Sequence, residues 1–155
     1  ADVRKIVFNI HPTSLDTLGL TNTIHNLCKN MMQIYNIDIQ FKSAGMDALS
    51  PDFDTSIAIY RLIQEGLNNI VKHSGAGLAL VRLVYSHPNI ILRIEDDGQG
   101  FDVEGLVETV TDRGCMGLLS MKERVALLHG EMTINSYFNV GTNINITIPY
   151  HEKQS

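Results

Sequence analysis

Two pairs of strand-like segments, separated by a helix, constrain this chain more than any other feature. Leu78–Ser86 and Asn89–Asp96 flank a turn at His87-Pro88-Asn89, and Glu131–Tyr137 and residues 142–149 flank a turn at Phe138-Asn139-Val140-Gly141. Each pair reads as a β-hairpin. Between them lies a glycine-bearing loop, about 98–116, then a predicted short helix over 117–129 that ends at Gly130. Upstream, the run 37–42 alternates apolar and polar residues and predicts a strand. Two helices precede and follow it. One spans about 15–35, with Leu20, Ile24, Leu27, Met31 and Ile34 on one face. The other opens at Ser50-Pro51-Asp52 and runs to about His73, with Pro51 near its first turn. The order α-β-α-β-β-loop-α-β-β predicts an α+β fold, a two-layer α/β sandwich with a mixed, mostly antiparallel sheet and helices on one face. At 155 residues and 44% apolar content, the chain suits one domain with a real core.

Composition narrows the function. The net charge is −5, so the chain is a poor coat for a phosphate backbone, and no nucleic-acid partner is expected. Apolar runs such as Leu78 to Val81 fall far below the roughly 18 residues needed to cross a bilayer. Cys28 and Cys115 form no C-x-x-C pair, which suits a reducing, cytoplasmic setting. His11, His25, His73, His87, His129 and His151 are scattered, with no zinc spacing. Residues Val3, Ile6, Val7 and Ile10 have helical spacing and read as the tail of a longer helix closed by Pro12. The chain begins at Ala1 without a leader and reads as a piece of something longer.

Four stretches carry chemistry. On the second helix, Ile59, Ile63, Leu67 and Ile70 predict the buried face, while Arg61, Glu65, Asn69 and His73 recur at strict fours on another. An Asn carbonyl is a hard oxygen donor suited to Mg²⁺, and a carboxylate one turn away can orient water or accept a proton. A solvated helix face explains the same pattern. Next, Asp96-Asp97-Gly98-Gln99-Gly100 ends a strand in D-x-G-x-G. Asp96 offers a fixed acceptor for an exocyclic amine such as that of adenine, and the glycines allow close approach of a flat ligand. An ordinary Asp/Gly turn is the alternative. Third, Gly114 and Gly117 precede a helix whose free N–H groups form an anion site; a flexible loop explains them equally. No P-loop sequence occurs. Last, Gly141-Thr142 opens the final strand, where the Thr142 hydroxyl can support the Asp96 end of a pocket.

Taken together and in this order, Arg61–Leu–Ile–Gln–Glu–Gly–Leu–Asn–Asn–Ile–Val–Lys–His73, Asp96 to Phe101, Gly114 to Val125 and Gly141-Thr142 resemble the ATP-binding catalytic domain of bacterial sensor histidine kinases. More widely the chain resembles the Bergerat-fold ATPases, which include DNA gyrase. The R-x-x-Q-E-x-x-x-N-x-x-K-H segment and the Met121-Lys122-Glu123-Arg124-Val125 helix are similar to those of the nitrate sensor kinases. So is the segment from Asn9 to Leu20, which matches the end of that subgroup's dimerisation region.

The resemblance implies ATP and Mg²⁺ as ligands. Asn69 takes the Mg²⁺-holding position and Glu65 the acidic position of the same box, with Lys72 and His73 on the phosphate side. Asp96, Gly98 and Gly100 form the adenine wall, Gly114, Gly117 and Leu118 a lid over the triphosphate, and Thr142 supports the adenine end. Residues 1–35 correspond to the end of a dimerisation helix and a connecting helix, 36–150 to the catalytic domain and 151–155 to a tail. Two departures stand out. Cys115 interrupts the usual G-x-G-L lid, displacing a glycine to Gly114. The only His followed by an acid is His151-Glu152 in the tail, so the phosphoacceptor helix is missing. The expected partners are ATP, the phosphoacceptor helices of a homodimeric parent and, indirectly, a response regulator. A nucleotide-binding regulatory module without turnover, another Bergerat-fold ATPase and an anti-sigma-type protein kinase are the competing readings.

Overall fold

The computed structural model describes residues 19–49, 51–99, 113–137 and 139–150, with the side chains of 48, 73, 74 and 113–116 left undescribed. The expected helix over 2–10 and the tail after 150 lie outside the described residues.

Helix α1, Leu20–Tyr35, buries Leu20, Ile24, Leu27, Cys28 and Met31, the stripe that a spacing of three and four predicts. It stops at Asn36, which turns left-handed at φ 53° and returns its N–H to the Met32 carbonyl. Strand β1, Asp38–Ala44, follows, with Ile39 pointing into the core. Helix α2, Phe53–Asn69, starts after the N-cap Asp52, whose Oδ1 accepts a hydrogen bond from the Thr55 hydroxyl. Asp54 in its first turn complements the positive end of the helix dipole. Pro51 sits immediately before this N-cap, next to the first turn as expected. Beyond Asn69 the chain widens into a π turn, Ile70–Ser74, that closes at Gly75. A π turn bonds i to i+5. The spacing of four that unites Arg61, Glu65 and Asn69 therefore does not extend to His73.

Strands β2 (Leu78–Ser86), β3 (Asn89–Asp96), β4 (Glu131–Tyr137) and β5 (Gly141–Pro149) form the two expected hairpin units. The sheet order is β1-β2-β3-β5-β4, with only β1 and β2 parallel. The two antiparallel units thus join through β3 and β5, and the fold is the mixed α+β sheet that the element order predicts. Helix α3, Arg113–Leu127, connects β3 to β4 and begins four residues earlier than the expected Gly117.

One face of the sheet makes the core. Val81 and Leu83, Ile90, Leu92 and Ile94, and Ile144, Ile146 and Ile148 are all buried against Ile24, Ile59, Ile63, Met121 and Val125 of the helices. Each such side chain contributes about 1.5–3 kcal/mol by leaving water. Truncating one at the centre, such as Ile63→Ala, costs about 2–5 kcal/mol. The opposite face keeps Lys42, Arg82, Arg93 and Asn145 in one cross-strand row. Gly66 sets the spacing of helix on sheet, since a Cβ there would meet Ile94 Cδ1 at 2.6 Å. That contact places the C-terminal turn of α2 over the last residues of β3, where the chemistry-bearing residues lie.

Candidate functional site

Ile94, Ile144 and Ile134 form one apolar cross-strand row on the helix-covered face. Two residues further along each strand the next row turns polar: Asp96 of β3 lies opposite Thr142 of β5, and Thr142 opposite Ser136 of β4. Side chains two apart share a face, so all three hydroxyl or carboxylate groups point to the helix side. Ala79 of β2, fully buried, completes the row beside Asp96.

The Asp96 carboxylate is held in place by backbone donors. Its Oδ1 accepts the Gly98 N–H at 2.8 Å, and the Thr142 N–H also supports it. Burial pushes its pKa above the usual carboxylate range. The neighbouring Asp97 charge adds to this, while the two N–H groups oppose it. Asp97 serves the fold instead. Its Oδ1 accepts the N–H groups of Gly77 and Leu78, each at 3.0 Å, and ties down the start of β2. The turn between β4 and β5 is fixed by the Asn139 N–H, which donates to the Gln99 carbonyl at 2.7 Å. At Gly141, φ is 134° and any Cβ would run into the Asp96 carbonyl oxygen, so only glycine fits.

The second half of the site lies where α2 meets α3. A Cβ on Gly117 would sit 2.8 Å from Asn69 Oδ1, 3.1 Å from Asn69 Nδ2 and 3.3 Å from Glu65 Oε2. Two side-chain oxygens of α2 therefore converge on one point beside α3, because both residues face α3 and glycine leaves the space. Asn69 Nδ2 is buried and lacks a hydrogen-bond partner among the described residues. An orphaned buried donor is costly unless something else completes it. Among the described residues no three His, Cys, Asp or Glu side chains gather as a metal cage. The Asn69 and Glu65 oxygens suit Mg²⁺ instead, which takes one or two protein oxygens and leaves its other positions to water and phosphate.

The two halves are close. Asn69 lies one turn from Gly66 along α2, Asp96 two residues from Ile94 along β3, and Gly66 and Ile94 touch. The structure thus gathers Asp96, Gly98 and Thr142 at one end and Glu65, Asn69 and Gly117 at the other. Lys72 is exposed on the π turn that follows. Leu118 is buried in the core and anchors α3. Gly114 lies in the first turn of α3 by its backbone, the side chain of His73 is not described, and Gly100 lies outside the described residues. So does most of the expected loop over 98–116. The free N–H groups at the start of α3 are those of 113–116 rather than of Gly117 and Leu118.

Two further residues bear on the site: Gln64, read in the sequence only as part of the Arg61–His73 motif, and Ser136, which that reading missed. Gln64 is 3% exposed and accepts a hydrogen bond from Arg61 Nη1 at 2.8 Å. Ser136 places its Oγ 2.8 Å from Thr142 Oγ1. The expected 138–141 turn would have paired Thr142 with Tyr137; the strand begins at Gly141 instead, and that one-residue difference brings Ser136 opposite Thr142.

Residues 54–152 match the family described as histidine kinase-, DNA gyrase B-, and HSP90-like ATPase. The chain is 36% identical over 149 residues to the signal transduction histidine-protein kinase/phosphatase DegS of Brevibacillus brevis, covering 96% of this chain and 37% of DegS. It is 30% identical to the oxygen sensor histidine kinase NreB of Staphylococcus carnosus, covering 96% of this chain and 41% of NreB. The chain thus spans about a third of the length of the curated relatives it matches. Its fold is similar to the histidine kinase domain of the Erythrobacter litoralis blue-light activated histidine kinase, with a TM-score of 0.66 at 21% identity over 84% of this chain and 60% of that one.

Proposed function

The chain belongs to the histidine kinase-, DNA gyrase B- and HSP90-like ATPase family, and from that premise we propose that it is the ATP-binding catalytic domain of a sensor histidine kinase. It binds ATP across the two halves of the site and presents the γ-phosphoryl group to a histidine outside this chain. The observation that carries this reading is the half-buried Asp96 carboxylate, held by the Gly98 and Thr142 N–H groups, at the end of β3 over which α2 brings the Asn69–Glu65 pair.

The residues divide the work between base, phosphates and metal. Asp96, as a carboxylate, accepts a hydrogen bond from the exocyclic amine of adenine. Gly98 and Gly100 let the base approach the backbone, and Thr142 supports the same end. The N–H groups and positive dipole end of α3, with Gly114 and Gly117, meet the triphosphate. Lys72 adds positive charge on the phosphate side, where His73 takes the second basic position. Asn69 would hold Mg²⁺ through its carbonyl oxygen, and Glu65 would orient a water or take a proton from the attacking imidazole. When bound, Mg²⁺ offsets the negative charge of the transferring phosphoryl group. Catalysis is then positioning and electrostatics, as phosphoryl transfer requires.

The acceptor is a histidine on the dimerisation helices of a homodimeric parent, from which the phosphoryl group passes to a response regulator. No helix among the described residues is long and apolar enough to cross a membrane. A cytoplasmic setting is part of the proposal because the scheme draws on ATP as phosphoryl donor. Incubation with γ-labelled ATP tests the scheme. The chain alone is expected to yield no acid-labile phosphohistidine, and a dimerisation hairpin of a DegS-like kinase added in trans is expected to become labelled. Strong self-labelling of the chain would contradict it.

A further inference from the structure

The face of the sheet turned away from the helices carries a charge pattern that the nucleotide site does not use. Lys42 of β1 lies opposite Arg82 of β2, and Arg82 opposite Arg93 of β3, so three cations stand side by side. Like charges directly opposite one another cost a sheet stability. Arg93 is held in place: its Nε donates to Asn145 Oδ1 at 2.8 Å, and its Nη1 lies 3.4 Å from Glu95 Oε1. Lys42 and Arg82 are exposed and have no hydrogen bond or ion pair among the described residues. The chain as a whole has a net charge of −5, so the row is a local reversal of sign. We propose that this row docks an acidic amphipathic helix of a partner protein, on the face opposite the nucleotide site.

The neighbouring rows define that partner. Two residues along the strands on one side of the cations, Val84 and Ile91 lie opposite each other; on the other side Leu80 lies opposite Glu95. Ile91 is 36% exposed, and Val84 and Leu80 are half-buried. Apolar side chains on both sides of a cationic row complement an element with carboxylates along its middle and apolar residues at its flanks. Strands lie about 4.8 Å apart, so the three cations span about 10 Å. Seven residues of α-helix rise about 10.5 Å, so carboxylates at i, i+4 and i+7 of a helix laid across the strands reach all three. A phosphate surface fits less well. Asp38, Glu95 and Glu131 share this face and repel continuous negative charge, whereas a helix keeps its carboxylates in one stripe above the cations.

Selection from a phage-displayed library of helical peptides about four turns long, on the whole chain, tests the proposal. The recovered sequences are expected to carry Asp or Glu at i, i+4 and i+7 between apolar residues. The tightest is then titrated as free peptide, and Arg82→Gln is expected to weaken it by about 10- to 100-fold, the range of one charge-assisted hydrogen bond. Binding of ATP is expected to stay at the wild-type level. Arg82→Glu separates docking from folding. A carboxylate between Lys42 and Arg93 relieves the repulsion, so Tm is expected to rise by about 1–4 °C while peptide binding is lost. Recovered peptides without acidic residues, an affinity that Arg82→Glu leaves unchanged, or a Tm of Arg82→Glu below wild type would overturn the proposal. Binding of single-stranded DNA or of phosphatidylglycerol vesicles that Arg82→Glu abolishes would also overturn it, since the row would then serve phosphate.

Discussion

Replacing Gly117 with alanine separates stability from function. The residue is in the second turn of α3, where alanine is favoured over glycine by about 1 kcal/mol. Against this, the new Cβ sits 2.8 Å from Asn69 Oδ1 and 3.1 Å from Nδ2. Ordinary contact begins near 3.4 Å, so the Asn69 amide has to move by about half an ångström or rotate away. Overpacking of this kind costs about 1–3 kcal/mol. The net destabilisation is about 0–2 kcal/mol, a fall in Tm of about 8 °C at most for a chain of this size, and the fold survives. The site does not escape so lightly. Mg²⁺ demands oxygens at about 2.0–2.1 Å in near-octahedral geometry, so displacing Asn69 is expected to weaken the Mg²⁺ response of ATP binding by about 10- to 100-fold. Binding of nucleotide without Mg²⁺ is expected to change far less, because the Asp96 end is untouched. Titration of a fluorescent ATP analogue with and without Mg²⁺, beside a thermal melt, reads both. A folded Gly117→Ala chain with the wild-type Mg²⁺ response would refute the placement of the metal at Asn69.

Other perturbations divide the remaining roles. Gly141→Ala drives a Cβ into the Asp96 carbonyl at a φ that L-residues rarely adopt, and is expected to destabilise the fold by more than about 2 kcal/mol in urea melts. Asp96→Asn is expected to abolish binding of ATP and ADP alike in calorimetry while leaving stability at neutral pH equal or higher, since a charge disfavoured by burial is removed. The pH dependence follows from the raised pKa. The stability contribution of Asp96 is fully present below the ordinary aspartate pKa and is lost as pH rises through its folded value. ATP affinity runs the other way, falling as pH drops through that same raised value, and Asp96→Asn removes both slopes. Finally, burial pushes the Cys28 thiol up to about 12, so alkylation of Cys28 by iodoacetamide at pH 8, followed by mass spectrometry, is expected only on unfolding.

The hairpins were legible because alternation and turn chemistry are local signals. Leu78–Ser86, Asn89–Asp96 and Glu131–Tyr137 fall where the pattern put them, and β5 starts one residue early, at Gly141. The start of α3 was not legible. Gly114 read as a loop residue and Gly117 as the start of the helix, yet Gly117 lies in its second turn and serves a close helix–helix approach to Asn69 that no local pattern encodes. The end of α2 was misjudged for a similar reason, since a spacing of three and four carries no mark of the π turn after Asn69. Within the site, the identities of Asp96, Asn69, Glu65 and Thr142 could be read from motifs. Their convergence depends on the Gly66–Ile94 contact and the packing of α2 on α3, which only the fold supplies. Ser136 was invisible until cross-strand register placed it opposite Thr142.

The central claim is that one nucleotide spans both halves of the site, from the Asp96 row to the Asn69–Glu65 pair. Amide chemical-shift mapping with Mg²⁺ and a non-hydrolysable ATP analogue tests it most directly. The account predicts saturable shifts centred on Gly98, Thr142, Asn69 and Gly117. Shifts centred on Arg82 and Arg93 of the opposite sheet face, with those four unmoved, would contradict it.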